Sequence, residues 1–143
     1  MDFKIEYLKK EELDQYRDLM KESFGSVSDI EDYKKSYKED SENYKILVAK
    51  DGERVIGALT FYKIDMFAFE KSYALQIFNV AVLSEYRGKK IARHLFDYVI
   101  KYGRENEYKS LFLTCLETAH SAHRLYESLG FEKMARVKYS MDL

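Results

Sequence analysis

Proline is absent from the chain, and cysteine occurs once, at Cys115. A lone thiol cannot form an internal disulfide, which points to a reducing cytoplasm. No apolar run approaches the ~20 residues that a membrane span needs. The opening residues, Met1-Asp2-Phe3-Lys4-Ile5, lack the apolar stretch of a signal peptide. Neither charge is in excess: 24 basic residues stand against 25 acidic ones, for a net charge of -1. That balance argues against a general nucleic-acid binder, which carries a basic surplus on one face. There is no low-complexity run, repeat or linker, so residues 1–143 are read as a single domain. What the chain does have in quantity is tyrosine, 13 residues, with 9 phenylalanines beside them. Tyrosine joins a large apolar body to a polar tip, so these rings serve as half-buried packing or as the lining of a site.

The periodicities predict an α/β chain. Residues 3–8 read as a strand. Leu13, Tyr16, Met20 and Phe24 recur at a helical period, with Glu11 and Glu12 placed where the helix dipole favours acids. Ser28 and Glu31 match a capping box and open a second helix carrying Ile30, Tyr33 and Tyr37. Strands are expected at 44–49, 54–64 and 73–83, the first two joined by the turn dipeptide Asp51-Gly52. A helix is expected over 89–103, a strand over 110–116, a short helix around Ala122 to Leu129 stopped by Gly130, and one or two closing strands over 131–143. The resulting order, β-α-α-β-β-β-α-β-α-β, implies a mixed sheet flanked by helices.

The stretch richest in chemistry is Val80-Ala81-Val82-Leu83-Ser84-Glu85-Tyr86-Arg87-Gly88-Lys89-Lys90-Ile91-Ala92-Arg93. A buried strand runs into a turn that opens a helix, and helix starts present free amides to anions. Arg87, Lys89, Lys90 and Arg93 crowd the place where the dipole disfavours cations, a conflict that a bound polyanion would resolve. Gly88 allows the backbone to approach a phosphate closely. Taken alone, the segment reads equally well as a solvated basic helix start.

Tyr86 to Ala92 resembles the coenzyme A signature of the GNAT superfamily of N-acetyltransferases, Arg/Gln-x-x-Gly-x-Gly/Ala, matched by Arg87-x-x-Lys90-x-Ala92. Ala122-x-x-Leu125-Tyr126-Glu127-Ser128-Leu129-Gly130-Phe131 resembles the later motif of the same family. The two occur in order with one helix and one strand between them. The resemblance implies a GNAT-like, mostly antiparallel central sheet and direct transfer of an acetyl group from acetyl-CoA to a primary amine, with no metal. It places coenzyme A on Val80, Ala81, Val82, Arg87, Gly88, Lys89, Lys90, Ile91, Ala92 and Arg93. It makes Tyr126 the catalytic residue that protonates the leaving thiolate. The expected partners are a small-molecule or peptide amine, without nucleic acid or membrane, and a homodimer is possible.

The chain departs from the pattern at three positions. Lys90 stands where the family keeps glycine, Ala119 where it often has asparagine, and Ser84 where it commonly has proline. Thr114 occupies a position where some relatives carry a glutamate base, so the base stays open between Glu117, a water held by Asn79 and a water chain. These departures leave room for a second reading, a coenzyme A-binding module without catalysis. A purely structural α/β interaction domain is a third. Cys115 is expected in the core, and His94, His120 and His123 on helix surfaces. The acceptor amine is expected among the first two helices, the 65–72 loop and the closing strands, with Tyr33, Tyr37, Phe67, Phe69 and Tyr139 on offer.

Overall fold

In the computed structural model, which describes residues 2–69 and 72–143, the chain divides into a unit ending at Leu113 and a second unit, Thr114–Leu143. Each is described by itself.

The first unit is built on a sheet of five strands among the described residues, in the order β1-β2-β3-β4-β5. These are β1 (Lys4–Tyr7), β2 (Tyr44–Asp51), β3 (Arg54–Met66), β4 (Ser72–Val82) and β5 (Ser110–Phe112). The first four pair antiparallel, and β5 joins β4 in parallel. Three helices accompany them: α1 (Leu13–Phe24), α2 (Ile30–Ser36) and α3 (Ile91–Glu105). Residues Val55 to Phe61 of β3 are buried without a break, as expected of a strand covered on both faces. Alternation divides them. Ala58 and its register partners Val48 and Ala81 join the cluster around Leu13, Tyr16, Leu19 and Met20 of α1. On the opposite face, Gly57 lies under Ile91 and Leu95 of α3, and the Phe61 ring stands 5.1 Å from that of Tyr102.

Local chemistry sets the boundaries. A single 3-10 turn, Lys10–Glu12, precedes α1, where Glu12 Oε1 accepts from Lys9 N–H at 2.9 Å. Glu12 also pairs with buried Lys50 at 2.6 Å, tying that turn to β2. The expected capping box at Ser28 does not form. α2 starts at Ile30 with Asp29 as its extended N-cap, and the Ser28 carbonyl accepts from Arg17 Nε at 2.7 Å instead. The helix expected over 89–103 begins at Ile91, because Gly88 and Lys90 take left-handed φ values of 78° and 62°. It runs past Gly103, which is a packing position: a Cβ there would meet Leu111 Cδ1 at 3.2 Å. β3 extends through Met66 and β4 begins at Ser72, so part of the expected 65–72 connection is strand; Glu70 and Lys71 lie outside the described residues.

The second unit holds α4 (His120–Ser128). Gly130 ends it at φ 99°, with Phe131 N–H donating to the Tyr126 carbonyl at 3.0 Å and Gly130 N–H to that of Glu127 at 3.1 Å. The closing strands expected over 131–143 are not formed. The alternation of Val137, Tyr139, Met141 and Leu143 is present, but no strand among the described residues pairs with it, and without a ladder an alternating sequence is not a strand. Among the described residues no helix is long and apolar enough to cross a membrane.

Candidate functional site

β4 changes character halfway along. Its parallel pairing with β5 stops at Gln76 opposite Phe112, short of the strand expected to reach residue 116. Beyond that point no other strand lies along this edge among the described residues. On the β3 side, Thr60 pairs with Phe78 but Ala58 pairs with Ala81, so β4 carries one extra residue. Asn79 sits in this bulge at φ 55°, a left-handed conformation that asparagine tolerates better than most residues. Past the bulge, Leu83 N–H donates to the Ile56 carbonyl at 2.9 Å. Amides alternate along an extended strand, so Val82 N–H turns the other way, toward the open edge. Val80 and Val82 are half-buried there, while Ala81 packs into the core.

The strand then delivers the chain to α3. A 3-10 turn, Ser84–Tyr86, leads through extended Arg87 and left-handed Gly88 to Lys90, the N-cap, at φ 62° and ψ 23°. Lys90 thus holds the backbone conformation that glycine favours, at the position where the signature has glycine. No acidic residue stands in the first turn of α3, and Arg87, Lys89 and Lys90 are exposed. A shallow cavity of about 520 Å³ lies here, lined by Phe3, Gly88, Lys89, Lys90 and His94. His94 braces it: its Nδ1–H and its backbone N–H both reach the Lys90 carbonyl, at 2.7 and 3.1 Å.

Two devices that the sequence reading did not single out hold this turn in place. Tyr86 donates its hydroxyl to Asp51 Oδ2 at 2.8 Å, and Arg54 and Lys89 each stand over its ring, 5.4 and 5.6 Å from the centroid. The bond to Asp51 holds the phenol above its ordinary pKa. Gly57 lets α3 settle close to the sheet, since a Cβ there would stand 3.0 Å from Ile91 Cγ2 and 3.3 Å from the Ala81 carbonyl.

The Asn79 bulge also borders a groove of about 800 Å³ on the α1 and α2 face of the sheet. Tyr33 and Tyr37 line it as expected, joined by Tyr16, Tyr44, Thr60 and Tyr62, which sequence reasoning missed. The pairings Tyr44↔Tyr62 and Ile46↔Thr60 put the strand residues on one face; the i, i+2 spacing of Thr60 and Tyr62 could have placed those two together, but no spacing brings in Tyr44 or Tyr16. Burial pushes the Tyr16 phenol up to about 12. The Thr60 hydroxyl beside it moderates that rise, yet Thr60 Oγ1 closes no hydrogen bond of ordinary geometry. Phe67 and Phe69 do not line the groove; they are exposed.

In the second unit, Tyr126 lies on α4 with its ring 6.0 Å from that of Phe131. Burial first, and then the neighbouring Cys115 thiol, hold its phenol above the ordinary value, which keeps it a proton donor through the neutral range. Cys115 is exposed rather than in the core, with Sγ 3.7 Å from His123 Nε2. That nitrogen also lies 2.9 Å from the Leu116 carbonyl, which can only accept, so Nε2 carries the proton and is no base toward the thiol. Tyr139 is fully exposed. The structure thus brings Val80 to Arg93 together in the first unit and sets Tyr126 in the second.

Known proteins resemble this chain in sequence and in fold. N-acetyltransferase 8B of Homo sapiens is 32% identical over 106 residues, covering 74% of this chain and 46% of the relative. The chain therefore spans about half the length of the curated relatives of this kind. A transcriptional regulator from Bacillus halodurans C-125 superposes with a TM-score of 0.87 at 22% identity, over 99% of this chain and 100% of that one. AAC(6')-Iy, in complex with the bisubstrate analogue CoA-S-monomethyl-acetylneamine, does so with a TM-score of 0.81 at 16% identity, over 100% and 99%. These likenesses establish the fold as α/β with a mostly antiparallel sheet. The profile of the acetyltransferase (GNAT) family matches residues 13–131, and the chain belongs to that family.

Proposed function

We propose that the protein is an acetyl-CoA-dependent N-acetyltransferase that moves an acetyl group directly to a primary amine, and that residues 1–143 work as one domain. The observation that carries this reading is the open edge of β4, running from the Asn79 bulge past Val82 into a helix start that bears cations and no acid. An extended pantetheine arm fits such an edge as an added strand would, and a pyrophosphate fits the amides and cations at the start of α3.

In this reading Val80, Ala81 and Val82 hold the arm through their backbone, with Val82 N–H aimed at it. Arg87, Gly88, Lys89, Lys90, Ile91, Ala92 and Arg93 hold the phosphates, the left-handed turns at Gly88 and Lys90 aiming the backbone and the side chains supplying charge. Bound acetyl-CoA supplies the acyl group as a thioester. The amine nitrogen forms the new N–C bond as the C–S bond breaks, and the amine proton passes to water, for which Asn79 is a polar neighbour. Tyr126 Oη gives its proton to the departing sulfur and recovers one from solvent. Its raised pKa keeps the phenol protonated at neutral pH, so the proton is there to give.

The test is calorimetric titration with coenzyme A beside a thiol-release assay over a panel of amines. Arg87→Glu is expected to weaken coenzyme A binding about tenfold or more, and added salt to weaken it in the unaltered protein. Equal affinity in a folded Arg87→Glu variant would remove the helix start from the reading. Tight coenzyme A binding with no thiol release on any amine would favour the binding module without catalysis.

A further inference from the structure

The groove on the α1 and α2 face narrows the acceptor. Its carboxylates are Glu6, Glu11, Glu39 and Asp40. Its ammonium groups are as many: Lys9, Lys10, Lys38 and Lys45. Two of these charges are already engaged, Glu6 with Lys50 at 3.3 Å and Lys45 over the Tyr7 ring at 5.4 Å. A polycation such as an amino sugar or a polyamine needs a surplus of carboxylates to replace its lost hydration, and the groove offers none.

What the groove offers in place of a charge surplus is flat apolar surface. The rings of Tyr44 and Tyr62 lie 5.2 Å apart and tilted by 33°, with Phe78 backing Tyr62 edge-on at 5.3 Å. Tyr16 and Tyr33 form a second edge-on pair at 6.1 Å. Within this setting Thr60 is 2% exposed, and its Oγ1, beside the Tyr16 phenol, closes no hydrogen bond of ordinary geometry. A buried hydroxyl left unpaired is costly, and a ligand N–H would satisfy it. Thr60 stands two residues from Tyr62 on the same face of β3 and is the register partner of Phe78, the residue just before the Asn79 bulge.

We infer that the groove is the acceptor site and that its substrate is a primary monoamine carried on an aromatic or similarly flat apolar body. The ring lies against Tyr44 and Tyr62, and the amino N–H donates to Thr60 Oγ1 near the bulge. This inference rests on the acetyltransferase reading for its chemistry, which adds no step to the transfer written above, but not for its binding test.

The experiment is calorimetric titration of the protein, with and without coenzyme A, by 2-phenylethylamine and by spermidine, repeated on Tyr62→Leu and Thr60→Val. 2-Phenylethylamine is expected to bind at least tenfold more tightly than spermidine. Each substitution is expected to weaken 2-phenylethylamine by about 3–10-fold and to leave spermidine unmoved. Thr60→Val keeps the side-chain shape, so it decides the matter should Tyr62→Leu not fold. Spermidine binding as well as or better than 2-phenylethylamine overturns the inference, and so does 2-phenylethylamine affinity that Thr60→Val leaves unchanged. If coenzyme A fails to bind, the acetyltransferase reading falls, and the titration without coenzyme A still decides what the groove prefers.

Discussion

Lys90 is where the sequence departs most from the family signature, and its backbone gives that departure a measurable consequence. At φ 62° and ψ 23° it is left-handed, and it caps α3 with no side-chain hydrogen bond of its own. An L-residue in that region carries about 1–2 kcal/mol of steric strain. Glycine escapes the strain but gives up about 0.5–1 kcal/mol through its freer unfolded chain. Lys90→Gly is therefore expected to stabilise the protein by about 0.5–1 kcal/mol. For a chain of 143 residues, at ~4 °C per kcal/mol, the midpoint should rise by ~2–4 °C. The lost ammonium is exposed and screened, and such a charge contributes up to about 1 kcal/mol, so coenzyme A affinity should fall by no more than ~5-fold. The assay is thermal unfolding without ligand, followed by calorimetric titration with coenzyme A. A midpoint that falls by 2 °C or more would refute the strain argument. A large gain in affinity would show that the lysine side chain obstructs the site rather than serving it.

Three further outcomes follow from other contacts. Gly57→Ala places a methyl 3.0 Å from Ile91 Cγ2 and 3.3 Å from the Ala81 carbonyl; the overpacking should cost about 1–3 kcal/mol in urea unfolding and weaken coenzyme A binding by shifting the start of α3, whereas unchanged stability would mean the helix gives way freely. Tyr126→Phe keeps the ring beside Phe131 and removes only the proton donor, so turnover on an accepted amine should drop ~10²–10⁴-fold with coenzyme A still bound, and turnover at the unaltered rate would leave water as the donor. Tyr16, pushed up to about 12 by burial, favours the folded state fully below pH ~10, and that contribution is lost as pH rises toward 12. Between pH 9 and 11.5 the unaltered protein should thus lose about 2 kcal/mol more than Tyr16→Phe in urea titrations, and parallel losses would exclude ionisation of this phenol as the cause.

The strands and the long helix were legible because period and burial agree. Val55 to Phe61 reads as a buried run and is one, and Leu95, Phe96 and Val99 fall on one helical face and are fully buried. What misled were residues whose meaning depends on a distant neighbour. Val137 to Leu143 alternates as a strand does, but a strand exists only where another strand supplies its hydrogen bonds, and none of the described ones does. Gly103 looks like a helix stop and is a contact point for Leu111. Cys115 follows an apolar run and would be core in an average protein, yet it is exposed.

The candidate site divides along the same line. The turn from Val80 to Arg93 was legible because its chemistry is local: strand end, glycine, cations and helix start follow one another in the chain, and the structure supplies the left-handed Gly88 and Lys90 that make the turn. The groove was not legible, because Tyr16, Tyr44 and Tyr62 come from three elements and meet only through the register of β2 with β3 and the packing of α1. No spacing rule links Tyr44 to Tyr62, and thirteen tyrosines scattered through the chain give no hint which of them converge. Charge points the same way. The groove that forms has matched lysines and carboxylates around a tyrosine floor, a balance set by which side chains the register and the helices bring together. A segment that binds a phosphate needs amides and cations in sequence. A pocket that selects an amine needs surfaces from several elements, and those exist only once the sheet has set its register.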